Sequence, residues 1–327
     1  EKSMNRKINV LVTGVGAIIG YGIIKSLRAS KYDCNIIGMD IYADAVGQAW
    51  CDSFVQAIPA ADPNYVPFVL KVMEEHQIDL IMFGTEQEIN RLSSAEEEMG
   101  AQYKKLVLNR KEIIALSDDK WATYQMLRQN DLPTIPSMIE GSYDAITQAL
   151  GTPFLLKPRK SYAGKGMVVI HDESEFQYRR SRLPQEPFMV QKLIGDDEHE
   201  YTAATFGFGD GTCLDKPIVF SRKLSQEGAT AKARSIEVPE IEEQIKMLTG
   251  ILKPVGPTNY QFRKEGEQYL LLEVNPRISS STSIRTAFGY NEAEMCITWY
   301  LHGNRPEQPE IHTGEARRYI ADWVDVE

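Results

Sequence analysis

The sequence is poor in cysteine and contains no long apolar run. Its four cysteines, Cys34, Cys51, Cys213 and Cys296, are far apart and lack the spacing of a zinc site, so we expect neither a disulfide framework nor a structural metal. No apolar stretch approaches the roughly 18 residues that a membrane-spanning helix needs. We therefore expect a protein with reduced cysteines, located in the cytoplasm and without a membrane partner.

The sequence also lacks any concentration of basic residues. Its formal net charge is −10 over 327 residues, and Lys and Arg do not gather into a stripe, so we expect no nucleic-acid partner. Any phosphate group must then be bound by a local site. A hydrophobic fraction of 43% and a charged fraction of 25% are typical of a folded globular protein. The length suits two or three domains of about 100–200 residues each.

The first part of the chain has the repeating pattern of a doubly wound α/β domain. A β-branched strand, Ile8 to Thr13, leads into a glycine-bearing loop, a helical pattern from Gly20 to Ser30 and a second strand from Asn35 to Asp40. The loop sequence G-V-G-A-I-I-G has its third glycine one position too late for the dinucleotide fingerprint, although Asp40 is suitably placed for a ribose contact. We therefore expect Gly16 and its neighbours to approach an anionic ligand at a helix N-terminus, with a nicotinamide-dependent dehydrogenase as the alternative.

A second strand end carries polar residues at a position suited to a ligand. Thr85 and Glu86 follow the apolar strand Leu80 to Phe83 and precede a helix. In open α/β sheets this position faces the ligand crevice, so both residues are candidate substrate contacts. An equally good explanation is a helix cap formed by Thr85, with Glu88 at the third helical position.

The most informative stretch reads L-L-L-E-V-N-P-R, from residue 270 to residue 277. Alternation in a strand puts Glu273, Asn275 and Arg277 on one face and apolar residues on the other. A preceding strand, paired across a short turn, brings Gln261 near Glu273. Carboxylate and amide oxygens suit Mg²⁺ that is also bound by substrate phosphates, and Arg277 would stand where charge develops during phosphoryl transfer. The alternative is an amphipathic strand with a solvated polar face.

Two lysines are candidates for phosphate contacts. Lys120 lies in the first turn of a well-capped helix, where a cation opposes the helix macrodipole. Lys157 ends an apolar strand that pairs, across a small glycine-bearing loop, with the strand from Met167 to Ile170. Such a loop can fold over phosphates as a backbone flap. The alternative is that Lys157 and Lys165 are solvated hairpin lysines.

The next two strands are candidates for adenosine recognition. Gln191, Lys192 and Leu193 lie where a strand breaks into a turn, so their backbone groups can meet an adenine edge. Glu200 opens the following strand and can accept hydrogen bonds from ribose hydroxyls, with Glu198 as a weaker candidate.

These motifs occur in the order found in the ATP-grasp superfamily, and the chain most resembles its carbamoyl-phosphate-synthase-like branch. The resemblance implies an α/β fold with α+β character in the C-terminal part. It implies a Rossmann-like pre-ATP-grasp domain over residues 1–115. An ATP-grasp fold would follow, in which a small lid subdomain, residues 116–190, and a large subdomain, residues 191–327, clasp ATP.

The resemblance also implies roles for individual residues. Arg277, Lys157 and Lys120 are the implied catalytic residues, because they resemble the cations around the triphosphate. The implied ATP-binding residues are Lys120, Lys157, Ala163, Gly164, Lys165, Gly166, Gln191, Lys192, Leu193 and Glu200. The implied metal ligands are Gln261, Glu273 and Asn275. The candidate substrate contacts are Gly16, Thr85, Glu86, Arg222 and Arg277, of which Arg222 flanks a loop, residues 224–233, that is expected to close over substrate.

The activity that the resemblance implies is that of an ATP-dependent carboxylate-amine ligase. Such an enzyme makes an acyl phosphate from a carboxylate and lets an amine displace the phosphate. The implied cofactors are ATP and Mg²⁺, with two ions expected and Mn²⁺ as a substitute. The implied partners are a small-molecule carboxylate, a small-molecule amine and a second copy of the chain in a homodimer. The alternative is a catalytically silent ATP-binding sensor or subunit on the same fold, because a fold does not determine function.

Overall fold

Three β-sheets form the framework of the molecule. They are seen in a computed structural model that describes residues 6–161, 166–183 and 187–327. Within these ranges the sheets have four, four and six strands, in chain order. Each sheet has helices packed against it, and the candidate cleft is lined by residues from the parts of the chain that carry the first and the third sheet.

The first sheet and its helices form an α/β domain. Its elements are β1 (Ile8–Thr13), α1 (Ile18–Arg28), β2 (Cys34–Asp40), β3 (Ser53–Gln56), α2 (Tyr65–Glu75), β4 (Leu80–Met82), α3 (Glu86–Ser93), α4 (Glu96–Met99) and α5 (Lys111–Asp118), with 3-10 turns at Val46–Trp50 and Gly100–Lys105. The strands pair in parallel in the order β3-β2-β1-β4. The doubly wound pattern predicted from the sequence is confirmed. Helix α1 begins at Ile18 and ends at Arg28, two residues earlier at each end than predicted.

The central strand of this sheet is apolar on both sides because both faces are covered. Along β1, Val10 and Val12 belong to the core that includes Ile23 of α1. Leu11, between them, belongs to the core that includes Val69 of α2. Strands of a parallel sheet that are buried on both faces are expected to be apolar without alternation, and β1 meets that expectation.

The middle sheet is small and antiparallel. The elements of this part are α6 (Lys120–Gln129), β5 (Ser137–Met138), α7 (Tyr143–Leu150), β6 (Phe154–Pro158), β7 (Val168–Ile170), α8 (Glu173–Ser181) and β8 (Phe188–Lys192). The strand order is β5-β8-β6-β7, and β6 pairs with β7 as the predicted hairpin, with Leu156 opposite Val168. Phe154, Phe176 and Val190 belong to its separate apolar core. Strand β8 crosses the predicted boundary between residues 190 and 191.

The third sheet is the largest. Its elements are β9 (Glu200–Phe208), β10 (Ile218–Leu224), β11 (Thr230–Ile236), α9 (Pro239–Leu252), β12 (Val255–Glu265), β13 (Gln268–Asn275), α10 (Thr282–Ala287), α11 (Glu292–Cys296) and β14 (Gly314–Arg317), with a π-helical turn at Ile297–Leu301. The strand order is β13-β12-β9-β10-β11-β14. Helix α9 covers one face, where Ile241 and Ile245 share a core with Tyr260 and Phe262 of β12. No helix in the described ranges has both the length and the apolar character needed to cross a membrane.

Helix α1 connects the first domain to the third sheet's helices. The Ser26 hydroxyl lies 2.7 Å from the Thr286 hydroxyl of α10, and the Asn291 side chain donates to the Ser26 carbonyl at 2.8 Å. A methyl group at Gly22 would come within 3.2 Å of the Thr282 side chain, so the two helices approach closely there. These contacts hold α1 next to the segment that follows β13.

Three glycines allow α1 to start directly against the ends of β1 and β4. A Cβ atom at Gly20 would stand 2.1 Å from the Gly14 carbonyl oxygen, and one at Gly84 would stand 3.0 Å from Gly20 Cα. Gly14 itself has a φ of +62°, a conformation that glycine adopts without steric cost. The close packing brings the first turn of α1 to the carboxyl edge of the sheet.

We predict that Gly20→Ala destabilises the protein and that Gly250→Ala, a matched control in α9, stabilises it. The Gly20 methyl would meet backbone atoms, and overpacking of this kind costs about 1–3 kcal/mol. The Gly250 methyl would meet nothing within 4 Å and would gain about 0.5–1 kcal/mol of helix propensity. Urea unfolding of both variants measures the two changes. Equal stabilities would contradict the tight approach of α1 to β1.

Candidate active site

The pairing of β12 with β13 brings the predicted metal ligands together. Gln261 lies opposite Glu273, and Asn259 lies opposite Asn275, in an antiparallel ladder with a bulge after Gln261. Residues opposite each other in such a ladder share one face of the sheet. Gln261, Glu273 and Asn275 line the same cleft, so three oxygen-bearing side chains meet there.

The donor chemistry of this trio fits a hard cation that takes further ligands from phosphate. Elsewhere in the described ranges, no group of three or more His, Cys, Asp or Glu side chains is arranged to hold a metal ion. The trio has one carboxylate and two amides, which is too little negative charge to neutralise a divalent ion alone. Mg²⁺ is commonly held by one or two protein carboxylates together with phosphate oxygens, and that arrangement would supply the missing charge.

Lys157, near the end of β6, is almost fully buried. Only 7% of the residue is exposed, and its ammonium donates to Gln191 Oε1 at 2.8 Å. Gln191 in turn donates from Nε2 to the Ser137 hydroxyl at 3.0 Å. Burial, together with the nearby charge of Lys120, lowers the pKa of Lys157 to about 8, while Glu273 acts in the opposite direction.

Lys120 faces the segment that leads into the predicted flap. Its ammonium donates to the Ser161 carbonyl at 3.1 Å and to the Ser161 hydroxyl at 3.3 Å. Asp119 caps the helix by accepting from the Trp121 backbone N–H at 3.0 Å, and Arg159 pairs with the same carboxylate at 2.6 Å. Asp119 and Arg159 therefore stabilise the first turn of α6, and this fixes the position of Lys120.

Of the predicted flap, residues 163–166, only Gly166 belongs to the described residues. Ala163, Gly164 and Lys165 lie outside the described residues, so their predicted contacts stay predictions. Gly166 is described, is exposed and has a φ of +82°, which favours glycine. It returns the chain from the loop towards β7.

The predicted adenine-binding connector lies at the end of β8. The Gln191 side chain points into the protein, towards Lys157, whereas Lys192 and Leu193 are half-buried. The Lys192 backbone N–H donates to the Pro136 carbonyl at 2.9 Å, so that donor is already used within the protein. The role of this segment in adenine binding stays a prediction.

Glu200, the predicted ribose ligand, lies in a buried group of charges. Its carboxylate is 3.0 Å from the Arg222 guanidinium and 3.5 Å from that of Arg263. Glu198, the weaker candidate, is exposed and lies 3.5 Å from the Lys223 ammonium. A ribose contact by Glu200 would have to coexist with its two arginine partners, and it stays a prediction.

Arg222 reaches the cleft from β10. It is 7% exposed and donates to the Thr230 hydroxyl at 3.1 Å as well as to Glu200. Its Nε has no hydrogen-bond partner among the described residues. Arg222 therefore retains one buried donor that the described part of the protein does not satisfy.

Arg277 and Glu86 were predicted separately, and the structure pairs them. Arg277 Nε donates to Glu86 Oε1 at 3.0 Å, and its Nη2 contacts the same oxygen. The remaining terminal nitrogen donates to the Ile278 carbonyl at 3.1 Å. The ion pair joins the strand end of the first domain to the segment after β13, and both side chains line the cleft.

The capping explanation of Thr85 is confirmed, and its contact with substrate stays a prediction. Its hydroxyl accepts from the Glu88 backbone N–H at 3.4 Å, which is an N-cap at the start of α3, and it donates to Glu88 Oε1 at 2.7 Å. Thr85 also lines the cleft next to Glu86. The cap therefore holds the residue in place at the cleft wall.

Asp40, the candidate ribose contact, is hydrogen-bonded to the glycine loop. Asp40 accepts from the Gly16 backbone N–H at 2.8 Å and from the Tyr42 backbone N–H at 3.0 Å, so both of its oxygens are engaged within the protein. A ribose contact by Asp40 would have to coexist with these two backbone bonds. Gly16 is exposed, and the residues of this region that line the cleft are Ile18 and Ile19, at the start of α1.

The cleft encloses about 910 Å³ of space, part of it open to solvent. Its walls come from α1, the start of α3, the β10–β11 loop, the β12–β13 hairpin and the segment after β13. The lining residues are Ile18, Ile19, Gly84, Thr85, Glu86, Gln87, Arg222, Glu227, Gly228, Ala229, Gln261, Glu273, Asn275, Arg277, Ser279 and Ser280. An anion bound here would meet positive charge from both Arg222 and Arg277.

Sequence reasoning missed Arg285, which lies in α10 behind the cleft and is fully buried. Its guanidinium donates to Asn259 Oδ1 at 2.5 Å and to the Ser279 hydroxyl at 2.9 Å, and it lies 3.2 Å from the Glu292 carboxylate. It thus contacts both Asn259, the ladder partner of Asn275, and the segment after Arg277. An arginine after a run rich in serine and threonine, with a glutamate seven positions later, was the only signal in the sequence.

We predict that Arg285→Ala destabilises the protein by about 3–5 kcal/mol, because it leaves the Glu292 carboxylate buried without its partner. Thermal or urea unfolding measures the change. Arg305→Ala is the matched control, since Arg305 pairs with Asp210 on an exposed surface, where an ion pair contributes about 0–1 kcal/mol. A loss for Arg285→Ala no larger than that of the control would refute this account of the buried pair.

We predict that stability rises with pH because of Lys157. Below pH about 8 its amine is charged in both the folded and the unfolded state, and the burial penalty is present in full. Between about 8 and 10.5 the folded state is neutral at this site and the unfolded state still binds the proton, so the free energy of unfolding increases with pH.

Urea unfolding at several pH values from about 7 to 9, compared between the unaltered protein and Lys157→Met, isolates this effect from other titrating groups. The difference in stability between the two proteins should change steadily above pH about 8. A difference that is constant over this range would show that Lys157 titrates at its ordinary pKa.

The chain is similar in sequence and in fold to known proteins. No family model matches the chain. The chain is 24% identical over 315 residues to the arginine-specific large chain of carbamoyl phosphate synthase from Geobacillus stearothermophilus, an alignment that covers 87% of this chain and 28% of that protein. The chain therefore spans little more than a quarter of this relative.

Solved structures show the same fold over nearly the whole chain. The N5-carboxyaminoimidazole synthetase from Staphylococcus aureus complexed with ADP has a TM-score of 0.73 at 17% identity, covering 95% of this chain and 83% of that one. The L-amino acid ligase from Bacillus licheniformis has a TM-score of 0.66 at 15% identity, covering 92% and 75%. The ATP-grasp fold predicted from the sequence is confirmed.

Proposed function

We propose that this chain, whose fold is the ATP-grasp fold, is an ATP-dependent ligase that joins a carboxylate to an amine. It would activate the carboxylate as an acyl phosphate, form an amide or peptide-like bond and release ADP and phosphate. The observation that carries the proposal is the meeting of Glu273, Asn275 and Arg277 in one cleft. Lys157 lies near enough to Glu273 for their charges to interact. A binding protein has no evident use for an arginine beside the transferring phosphoryl group.

The relatives support this choice of reaction. The carbamoyl phosphate synthase chain, the N5-carboxyaminoimidazole synthetase and the L-amino acid ligase are named for the formation of bonds of this kind, and the synthetase was solved with ADP. We propose small-molecule substrates on the same ground. A homodimer in the cytoplasm is part of the proposal and rests on the resemblance alone.

The proposed cofactor is Mg²⁺, as two ions that Mn²⁺ can replace, together with ATP as substrate. Gln261, Glu273 and Asn275 would hold the metal, and their single carboxylate is suited to an ion that also binds phosphate. The metal would neutralise charge on the phosphate oxygens. Lys120 and Lys157 would contact the phosphates, and residues 163–166 would close over them.

The main barrier to the first step is repulsion between two anions, the carboxylate and the triphosphate. Catalysis of such a step is largely positioning and charge neutralisation, so no covalent intermediate with the protein is needed. Arg277 would release Glu86 and contact the substrate instead. It would then stabilise the phosphoryl group during its transfer. Arg222, which lines the cleft, would help to hold the substrate carboxylate.

The amine would then displace phosphate from the acyl phosphate. Exclusion of water matters at this stage because water competes with the amine for the same carbon. Glu227, Gly228 and Ala229, in the loop between β10 and β11, line the cleft. We call this part of the cleft wall its substrate side, and the loop would cover the intermediate there. Glu86, when released by Arg277, offers a carboxylate near the incoming amine.

We predict that ADP and phosphate are released from Mg-ATP only in the presence of a particular carboxylate and amine. Pools of amino acids and small carboxylates, with mass spectrometry of the products, identify the pair. Arg277→Ala should lower kcat by roughly 10³-fold or more, by analogy with arginines that stabilise phosphoryl transfer. Arg305→Ala, an exposed arginine paired with Asp210, is the control and should leave kcat unchanged.

Two results would count against this function. Tight Mg-ATP binding without product from any pool would favour an ATP-binding sensor or subunit. An Arg277→Ala variant that changes only KM would move this residue from phosphoryl transfer to substrate binding.

A further inference from the structure

Arg318, directly after β14, joins two segments of the cleft wall that are far apart in sequence. Its Nη1 donates to the Thr230 carbonyl at 2.6 Å, and its Nη2 donates to the Ser280 carbonyl. Its backbone N–H donates to the Ala231 carbonyl at 2.9 Å. One guanidinium thus spans the gap between the start of β11 and the segment after β13.

Both carbonyls belong to parts of the chain that shape the substrate side of the cleft. Thr230 ends the β10–β11 loop, and its hydroxyl accepts from Arg222 at 3.1 Å and lies 2.8 Å from the Ser281 hydroxyl. Ser280 lines the cleft itself and follows Arg277 by three positions. Arg318 therefore bonds the carbonyls of two residues that adjoin the arginines of the cleft. Thr230 is hydrogen-bonded to Arg222, and Ser280 closely follows Arg277 in the chain.

Among the described residues, the conformation of the β10–β11 loop is stabilised mainly by hydrogen bonds within the loop. Ser225 accepts from the Ala229 and Gly228 backbone N–H groups, and its own N–H donates to the Ala229 carbonyl at 2.7 Å. These bonds close the loop on itself and do not attach it to the segment after β13. Attachment between the two comes from the pair of hydroxyls, Thr230 and Ser281, and from Arg318.

Arg318 has no carboxylate partner in the described part of the chain, although it is half-buried. Its three bonds all involve backbone carbonyls as acceptors. Burial lowers its pKa, with the charge of Arg222 acting in the same direction. Burying a cation in part without a counterion costs free energy, so a contribution to folding stability alone does not explain the position of Arg318.

We propose that Arg318 is a positioning residue for the substrate side of the cleft. It holds the β10–β11 loop, residues 225–229, against the segment that carries Arg277, so that Arg222 and Arg277 keep their spacing across the cleft. A planar fork can bond two carbonyls at once, whereas a lysine can reach them only one at a time. This inference rests on the proposed function for its kinetic consequence, but its structural consequence can be tested without any substrate.

The first test measures hydrogen exchange of the backbone amides over residues 225–231. Arg318→Ala should accelerate exchange there by about 10- to 100-fold, the factor for losing one hydrogen bond to a charged group. Arg318→Lys should give an intermediate value. Arg317→Ala is the matched control, because Arg317 is exposed and its side chain lies 3.5 Å from Glu315, on the surface, and it should leave this exchange unchanged.

Two outcomes of the exchange experiment would overturn the proposal. Exchange over residues 225–231 that is unchanged in Arg318→Ala would show that the loop is held by other contacts. A uniform increase over the whole chain would show that Arg318 only stabilises the fold. If Arg318→Ala does not fold, Arg318→Lys against Arg317→Ala decides the same question.

The second test is kinetic and uses the substrate pair found by ADP release. Arg318→Ala should raise KM for the carboxylate about tenfold or more and leave KM for Mg-ATP unchanged, because Arg318 contacts the substrate side of the cleft. Equal increases in both KM values would overturn the positioning role. Absence of any turnover in the unaltered protein would refute the proposed function, and the exchange result would still decide the role of Arg318.

Discussion

The register between β12 and β13 places Gln261 opposite Glu273 and Asn259 opposite Asn275. A slip by one residue would turn these polar side chains towards α9 and the apolar residues towards the cleft, because strand side chains alternate with a period of two. The apolar core between α9 and β12 makes such a slip costly, since Tyr260 would leave it. The grouping of the proposed metal ligands and the large core are therefore specified by the same hydrogen-bond ladder.

Both arginines of the cleft are paired with carboxylates within the protein before any ligand binds, and Lys157 is hydrogen-bonded to a neutral amide. Lys157 donates to Gln191, Arg277 pairs with Glu86, and Arg222 pairs with Glu200. Binding of an anion is then an exchange of partners for these cations, which limits the cost of keeping buried charges in the free protein. The same exchange couples the first domain to the third sheet, because the Glu86 carboxylate comes from the opposite wall.

The sequence was sufficient to predict the fold and the residues whose roles follow from local pattern. Glu273 and Asn275 could be placed on one face because strand alternation is a local property. The pairing of Glu86 with Arg277 could not be predicted, since it joins residues 191 positions apart that belong to different domains. Arg285 was missed for a related reason: a polar residue in a short helix reads as solvated unless the packing around it is known.

The buried layer around Arg285 is less well satisfied than stability would require. Arg285 Nε, Asn259 Nδ2 and Glu292 Oε2 have no hydrogen-bond partner among the described residues, and each such buried group costs about 1–3 kcal/mol. Apolar side chains of similar volume would often make a more stable layer. They would not hold Asn259, and with it the ladder beside Asn275, in one position. We conclude that this layer costs some stability and in return gives rigid support to the strands that carry the proposed metal ligands, because Arg285 contacts Asn259 beside Asn275.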